Sequence, residues 1–443
     1  MIKLPKEVAE LIKTFKKNNF QIFVVGGAVR NALLNKPIDN WDFTTNATPE
    51  QIQNLFPDSF YNNIYGTVSI PKEAKIVFEI TPFRKESDYT DSRHPENIEW
   101  ANTLEEDLSR RDFTINAMAF DGEKIIDLYD GQKDLANKLI KTVGDPDKRF
   151  AEDALRLLRG IRLTSQLGFL IEDKTRESIQ NNASLITKIS WERISEEFIK
   201  ILKSDHPAEG ILFLKNTGLL TYILPEVDVC FTIPQKSPKR HHIYDVGTHL
   251  VMALKHCPSN DPITRFAALI HDIGKAKTFH KDEKTDLITF FNHEVVGKRQ
   301  AELIANRFRL SNKQKEKLIT LVGEHQFTVS ELQTDKSVRR FIRGVSKDYL
   351  QDMLDLRTGD RIGSGSTPTS WRLDLFKKRL IEVQKEPFKV SDLKISGNDV
   401  MKILKIKPGP KVGEILNKLF DMVVEKKIKN EKQILLDQIT TID

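Results

Sequence analysis

The sequence predicts an α+β chain, with strands and helices mixed over residues 1–143 and helices dominating from there to the C-terminus. Three observations carry this reading. Short apolar or β-branched runs at 21–25, 41–44, 66–70 and 76–81, with another at Ala117–Phe120, are bounded by Gly, Pro, Asn and charged residues, as strands are. After Val143 such runs stop. From residue 149 onward, apolar residues recur at three- and four-residue spacing, the period of consecutive helices.

A chain of 443 residues holds two to four domains with ample core. Proline-bearing polar stretches at 144–148 (GDPDK), 233–239 (IPQKSPK) and 384–390 (QKEPFKV) are candidate linkers. They divide the chain into 1–143, 144–232, 233–384 and 385–443. Apolar content of 39% and charged content of 30% describe an ordinary soluble composition, and no apolar run approaches the roughly 18 residues of a membrane span. The N-terminal segment sets Val8, Leu11, Ile12 and Phe15 at helical spacing among lysines, without the apolar core and cleavage site of a signal peptide. A cytoplasmic protein is expected. Cys230 and Cys257 lack metal-type spacing and read as reduced packing residues. The net charge of +6 permits nucleic-acid binding without requiring it.

The stretch FVVGGAVRNALLNKPIDNWDFTT, 23–45, organises the head. A strand breaks at Gly26 and Gly27 and resumes as a helix carrying Val29, Leu33 and Leu34. Two glycines let the backbone approach a ligand, and the helix-start amides beside Arg30 suit anionic oxygens such as those of a triphosphate. A plain turn satisfies the same pattern. In DNWDF, strand alternation puts Asn40 and Asp42 on one face, where two oxygen ligands can share a hard cation. Glu79, in KIVFEITPFR, is a candidate third member or a salt-bridged strand end. Residues 85–97, KESDYTDSRHPEN, are polar without periodicity and read as a long loop. In EDLSRRDFTINAMA, two arginines and an aspartate before a strand can grip phosphates or simply pair with one another.

A helix is predicted over 150–163, FAEDALRLLRGIRL, with Asp153 and Arg156 three apart on one face and Arg159 and Arg162 continuing the series. One acceptor beside a fork of donors matches the pairing edges of cytosine and adenine, which present an amino donor next to a ring-nitrogen acceptor. Uracil and guanine present the reverse. A surface ion pair is the alternative. Further on, His249, the doublet His271-Asp272, His293, His325 and Asp360 fall on predicted helices. Imidazoles and carboxylates converging from helix faces bind divalent metals, and a metal-activated water hydrolyses phosphoesters. In the tail, PGPKVG at 408–413 opens a helix whose amides and lysines suit a nucleic-acid phosphate or serve only as a cap.

Together these stretches resemble the bacterial class II tRNA nucleotidyltransferases, the CCA-adding enzymes, and the related bacterial poly(A) polymerases. The resemblance covers nearly the whole chain and rests on GGAVR (26–30), WDFTT (41–45), EDLSRRDFTINAMA (106–119), DLYDGQKDL (127–135), RFAEDALRLLRGIR (149–162), WERISEE (191–197), the HD doublet, and DLKISGNDVM with KPGPKVGEIL in the tail. It implies a polymerase-β-type head (1–143), a helical neck (144–232), an HD domain (233–384) and a tRNA-binding tail (385–443). It implies Mg²⁺-dependent transfer from CTP and ATP to tRNA, in a monomer or homodimer. Catalysis would fall to Asp42, Asn40 and Glu79, with Mg²⁺ at Asp42 and Asn40. The nucleotide would be held by Gly26, Gly27, Arg30, Arg111, Asp112 and Asn116, and by Asp153, Arg156, Arg159 and Arg162. The HD site would take Ni²⁺, Mn²⁺ or Fe²⁺, and residues 85–97 would correspond to the element needed for the terminal A.

Two positions depart from the family pattern. The metal pair Asp-x-Asp begins here with Asn40, preceded by Asp39, and the motif GGxVRD ends in Asn31. An amide oxygen can ligate Mg²⁺ without contributing charge. The competing readings are a poly(A) polymerase using ATP alone, and a metal phosphohydrolase whose head only binds RNA.

Overall fold

The computed structural model describes residues 2–62, 66–71, 77–89, 95–235, 243–384, 390–425 and 427–442. Its contacts divide the chain into two compact units, residues 1–228 with 307–309, and residues 229–306 with 310–443.

In the first unit, α1 (Lys6–Lys17) buries the four apolar residues that its spacing selects. β1 (Ile22–Val25) is buried along its length, and Gly26 turns it at φ 68° into α2 (Gly27–Leu33). A Cβ-bearing residue is strained at that angle. There follow β2 (Asp42–Thr45), α3 (Pro49–Leu55), β3 (Phe60–Asn62), β4 (Thr67–Pro71) and β5 (Val77–Pro82). The helix starts at Thr48 and at Thr103, before α4 (Leu104–Ser109), are fixed by capping boxes with Gln51 and Glu106. With β8 (Met118–Phe120) and β9 (Ile125–Asp127) added, seven strands form one mixed sheet in the order β3-β4-β5-β2-β1-β8-β9. Within this sheet only β2 and β5 run parallel; β1 and β2 at the centre bury nearly every side chain.

Four expectations are corrected here. The run 85–97 contributes to an antiparallel hairpin, β6 (Arg84–Tyr89) with β7 (Pro95–Trp100), rather than to a loop; 90–94 lie outside the described residues. Its sequence lacks apolar alternation, which is the signal a strand leaves only where one face is buried. The segment 144–148 is a helix start: Asp145 caps α6 (Pro146–Glu152) through the Asp147 amide, with Pro146 in the first turn. Strand structure persists past Val143, because β10 (Leu139–Ile140) pairs in parallel with β11 (Leu170–Ile171). And the helix expected over 150–163 is broken at Asp153, which is extended at φ −140°, ψ 103°, so that a second helix, α7, runs Leu155–Leu167. The unit is completed by α8 (Asp173–Asn181), α9 (Trp191–Lys203), α10 (Pro207–Asn216), α11 (Leu219–Ile223) and α12 (Pro225–Asp228).

The second unit is helical apart from a small antiparallel pair. Its elements are α13 (Val246–His256), α14 (Pro262–Ile270), α15 (Lys275–Thr278), β12 (His280–Lys281), β13 (Ile288–Thr289), α16 (His293–Arg307), α17 (Asn312–Glu324), α18 (Asp335–Val345), α19 (Leu350–Gly363) and α20 (Trp371–Gln384). The last helices, α21 (Gly397–Leu404), α22 (Pro410–Val424) and α23 (Lys432–Ile442), enclose a separate apolar cluster of Val400, Ile415, Leu419, Phe420, Leu435 and Ile439. Of the expected linkers, 236–239 and 385–389 lie outside the described residues. Cys230 and Cys257 are buried and not joined in a disulfide. Among the described residues no helix is long and apolar enough to cross a membrane.

Candidate active site

A cleft of about 390 Å³ opens in the first unit where β1 turns into α2 and β2 begins. Gly27, Arg30, Asn31 and Lys36 line one part of it, Asp39, Asn40 and Asp42 another, and Arg162, Gln166 and Asp205 a third. Strand β2 starts only at Asp42, so Asn40 sits in irregular backbone before it and reaches the cleft without the strand alternation expected for it. Asp42 is opposite Val25 on one side and Glu79 on the other, which places Asp42 and Glu79 on the same face of the sheet. Both are exposed. Even so, the surrounding protein withdraws enough water to raise the Asp42 carboxyl above its ordinary range, a rise that Arg111 moderates. The donors here are hard oxygens, the kind a divalent cation such as Mg²⁺ takes. Among the described residues, three acidic, His or Cys ligand atoms within 4.8 Å of one another occur only in the second unit.

The cationic side is built as a relay. Arg30 donates to the Asn116 Oδ1 at 2.5 Å and to the Asn31 Oδ1 from both Nε (3.2 Å) and Nη2 (3.0 Å). The Asn116 amide in turn donates to buried Asp112 at 3.2 Å, and the other Asp112 oxygen lies 2.8 Å from Arg159. Arg162 pairs with Glu197 at 2.8 Å. Burial first, and then Arg162 and Arg159, bring Arg30 down to about 10, with Asp112 opposing; it remains charged at neutral pH. Arg111 lies against the Gly26 turn, where an added Cβ would come within 3.3 Å of its guanidinium. Arg110 and Arg111 are both anchored on the wholly buried Asp107, at 2.6 and 3.1 Å.

The break at Asp153 ends the continuous helix expected through both Asp153 and Arg156, although the Arg156 amide still donates to the Asp153 carbonyl oxygen at 3.0 Å. The Asp153 carboxylate accepts from Arg193 at 3.1 Å and from the Leu155 amide at 3.1 Å. Arg156 is held by Glu152 at 2.6 Å and by the Arg149 and Arg110 carbonyl oxygens at 3.2 and 3.0 Å. The sequence reading missed these holders, although Arg193 stands in WERISEE and Glu152 precedes Asp153 in the motif.

In the second unit the six expected residues converge. His249 comes from α13, His271 ends α14, Asp272 follows it, His293 opens α16, His325 ends α17 and Asp360 lies in α19. Two triads share Asp272: His249 and His271 on one oxygen, both at 3.4 Å, and His293 and His325 on the other, at 3.1 and 3.3 Å. Asp360 adds 3.4 and 3.7 Å contacts to His249 and His271. The Nδ1 of His271, His293 and His325 each lies 2.7 to 2.9 Å from the carbonyl oxygen three residues earlier, so each ring donates there and turns its Nε2 inward. Burial opposes charge on His271, but Asp272 and Asp360 overcome it and lift it to about 10. Imidazoles with Nε2 turned inward beside two carboxylates fit a transition-metal ion. Lys275, absent from the expected set, lies 2.5 Å from Asp272 and donates to Gln235 at 2.8 Å. His271, Asp272, Lys275, His293, His325 and Asp360 edge a cavity of about 700 Å³ that also meets Phe291, Arg357, Arg361 and Ser364.

Comparisons with known proteins bear on both units. Residues 22–141 match the family described as the poly A polymerase head domain, 168–231 a probable RNA and SrmB-binding site of polymerase A, and 279–439 a putative tRNA nucleotidyltransferase domain 2. The CCA-adding enzyme of Enterococcus faecalis is 33% identical over 437 residues, covering 97% of this chain and 94% of its own. The chain belongs to the CCA-adding enzymes. The Ligilactobacillus salivarius member of this family is 31% identical over 98% of this chain and 95% of its own. Among solved structures, the Bacillus stearothermophilus CCA-adding enzyme in complex with CTP superimposes with a TM-score of 0.75 at 25% identity, over 99% of this chain and 97% of its own. CCA-adding enzymes are tRNA nucleotidyltransferases, and the head is of the polymerase-β type.

Proposed function

We propose that this chain adds C, C and A to the 3′ ends of tRNA from CTP and ATP, with Mg²⁺, releasing pyrophosphate. The observation that carries the reading is the cleft that sets Asp39, Asn40 and Asp42 across from Arg30 and Arg162, in a chain related to CCA-adding enzymes over nearly its full length. Asp42, with Asn40 and with Glu79 from the neighbouring strand, would hold the ion; when bound, it lowers the pKa of the attacking hydroxyl and screens the α-phosphate. Arg30, helped by Arg162 and the Gly27 amide, binds the triphosphate and neutralises charge on the departing pyrophosphate. Arg111, at the glycine turn, contacts the nucleotide. Asp153 accepts from the base amino group with lone pairs left over from Arg193 and Leu155, and Arg156 supplies the matching donor. Asp112 and Asn116 act through Arg159 and Arg30, fixing both guanidiniums.

The test is extension of a tRNA ending at its discriminator base with CTP alone, ATP alone and both, resolved to single nucleotides beside Asp42→Ala. Two C residues with CTP, a final A when both are present, and no incorporation by the folded variant are expected. Long tails from ATP alone would make the chain a poly(A) polymerase.

The six-residue convergence in the second unit favours an additional reading. His249, His271, Asp272, His293, His325 and Asp360 would hold Ni²⁺, Mn²⁺ or Fe²⁺, which supplies an activated water for hydrolysis of a phosphoester in the adjoining cavity. Elemental analysis after reconstitution should find metal in the wild type and little in His271→Ala. A wild type that stays metal-free rejects this reading.

A further inference from the structure

We propose that Asn31 is a positioning residue that aims the Arg30 guanidinium into the cleft without cancelling its charge, so that this chain grips the nucleotide's triphosphate through protein charge even without a metal ion. The proposal rests on the assignment of Arg30 as a triphosphate group. The Asn31 Oδ1 accepts from two of the Arg30 nitrogens, at 3.2 and 3.0 Å, while its amide nitrogen donates to the Pro37 carbonyl oxygen at 3.2 Å. The side chain is thereby tethered at both ends and presents a neutral acceptor to the guanidinium.

The family motif resembled by GGAVRN carries aspartate at this position. A carboxylate accepting the same two contacts through one oxygen would form an ion pair that offsets the charge of Arg30, with its second oxygen set against the Pro37 carbonyl. In this chain the other direct partner, Asn116, is also neutral. Asp112 is an anion that acts on Arg30, but its oxygens are engaged by Arg159, the Asn116 amide and the Phe113 amide. Arg162 and Arg159 add two more cations to the same field, and each has one carboxylate to answer it, Glu197 and Asp112. Arg30 is the guanidinium left over. Its lowered pKa has the corresponding cause, burial beside like charge, which an incoming anion relieves.

The second departure lies in the same cleft. Asn31 and Asn40 both line it, and each stands where the family has a carboxylate. One substitution strengthens the field that draws a triphosphate; the other weakens the field that draws a free cation. Both shift recognition of the nucleotide from the ion toward the arginine side.

The experiment measures binding of CTP and of inorganic tripolyphosphate to the full chain in EDTA, for the wild type, Asn31→Asp, Asn31→Ala and Arg30→Met, with melting temperatures to confirm folding. The wild type should bind both. Asn31→Asp should weaken both by roughly tenfold, the size expected of one new charge several ångströms from the phosphates. Asn31→Ala keeps the charge and loses only the aim, so its binding should fall less than that of Asn31→Asp while kcat falls more than KM rises. If Arg30→Met binds like the wild type, the triphosphate assignment itself fails. If Arg30→Met loses binding but Asn31→Asp does not, this proposal alone is overturned, as it is by a wild type that binds tripolyphosphate only with metal.

Discussion

Gly274 lies in the HDIGK turn, directly under the start of α16. An alanine methyl there would stand 2.0 Å from the His293 carbonyl oxygen and 2.7 Å from the Gly297 amide nitrogen. Both neighbours are backbone, so neither can rotate aside. Reaching an ordinary 3.4 Å contact requires the first turn of α16 to retreat by about 1.4 Å, the difference between 3.4 and 2.0 Å. His293 opens that turn with its Nε2 3.1 Å from Asp272, so the retreat opens the triad of Asp272, His293 and His325 and leaves that of His249, His271 and Asp272. Overpacking of this kind costs about 1–3 kcal/mol or more. At roughly 2–4 °C per kcal/mol for a unit of this size, the melting transition of the second unit should fall by several degrees. The assay pairs thermal denaturation with metal content after reconstitution: Gly274→Ala should melt earlier and retain less metal, while tRNA extension by the head persists. Unchanged melting together with unchanged metal content would refute the steric argument and the assignment of His293 to the centre.

Two further outcomes concern the head. Asp107 is buried between Arg110 and Arg111; burial opposes its ionisation, yet Arg111 and Arg110 hold its carboxyl below the ordinary carboxylate range. A depressed folded-state pKa contributes stability that is present above the unfolded value near 4 and lost as pH falls through the folded value. Asp107→Asn should therefore cost about 3–5 kcal/mol at pH 7, read by denaturant titration, with the gap to wild type closing only below about pH 4. Asp153→Ala removes the acceptor for a base amino group, so UTP and GTP incorporation, measured by competition against CTP, should rise; unchanged selectivity would count against reading of the base edge by this residue.

How much of this was legible in the sequence depends on what each residue's position rests on. The glycine turn and the strand of Val24 and Val25 were readable because periodicity and the Gly-Gly break are local signals. The convergence of His249, His271, Asp272, His293, His325 and Asp360 was readable because side chains carried on helices need only the helices to converge. Asp153 misled for a physical reason: apolar spacing continues from Phe150 through Leu155 and Leu158, and nothing local reveals that one residue in that run is extended. The hairpin of β6 and β7 left no signal, since backbone pairing between polar strands has no apolar alternation. Partners far apart in sequence, Arg193 for Asp153 and Asn116 for Arg30, were invisible until the fold brought them within hydrogen-bond reach.

The carbonyl contacts behind His271, His293 and His325 have a consequence for how the second unit would take up an ion. Each imidazole is oriented by a backbone carbonyl three residues back, and not by a metal ion. The ring nitrogens therefore converge once the helices pack, and loading would need only the exchange of protons for a cation. Such a centre is assembled during folding and filled afterwards, so a chelator should empty it while leaving the polypeptide folded.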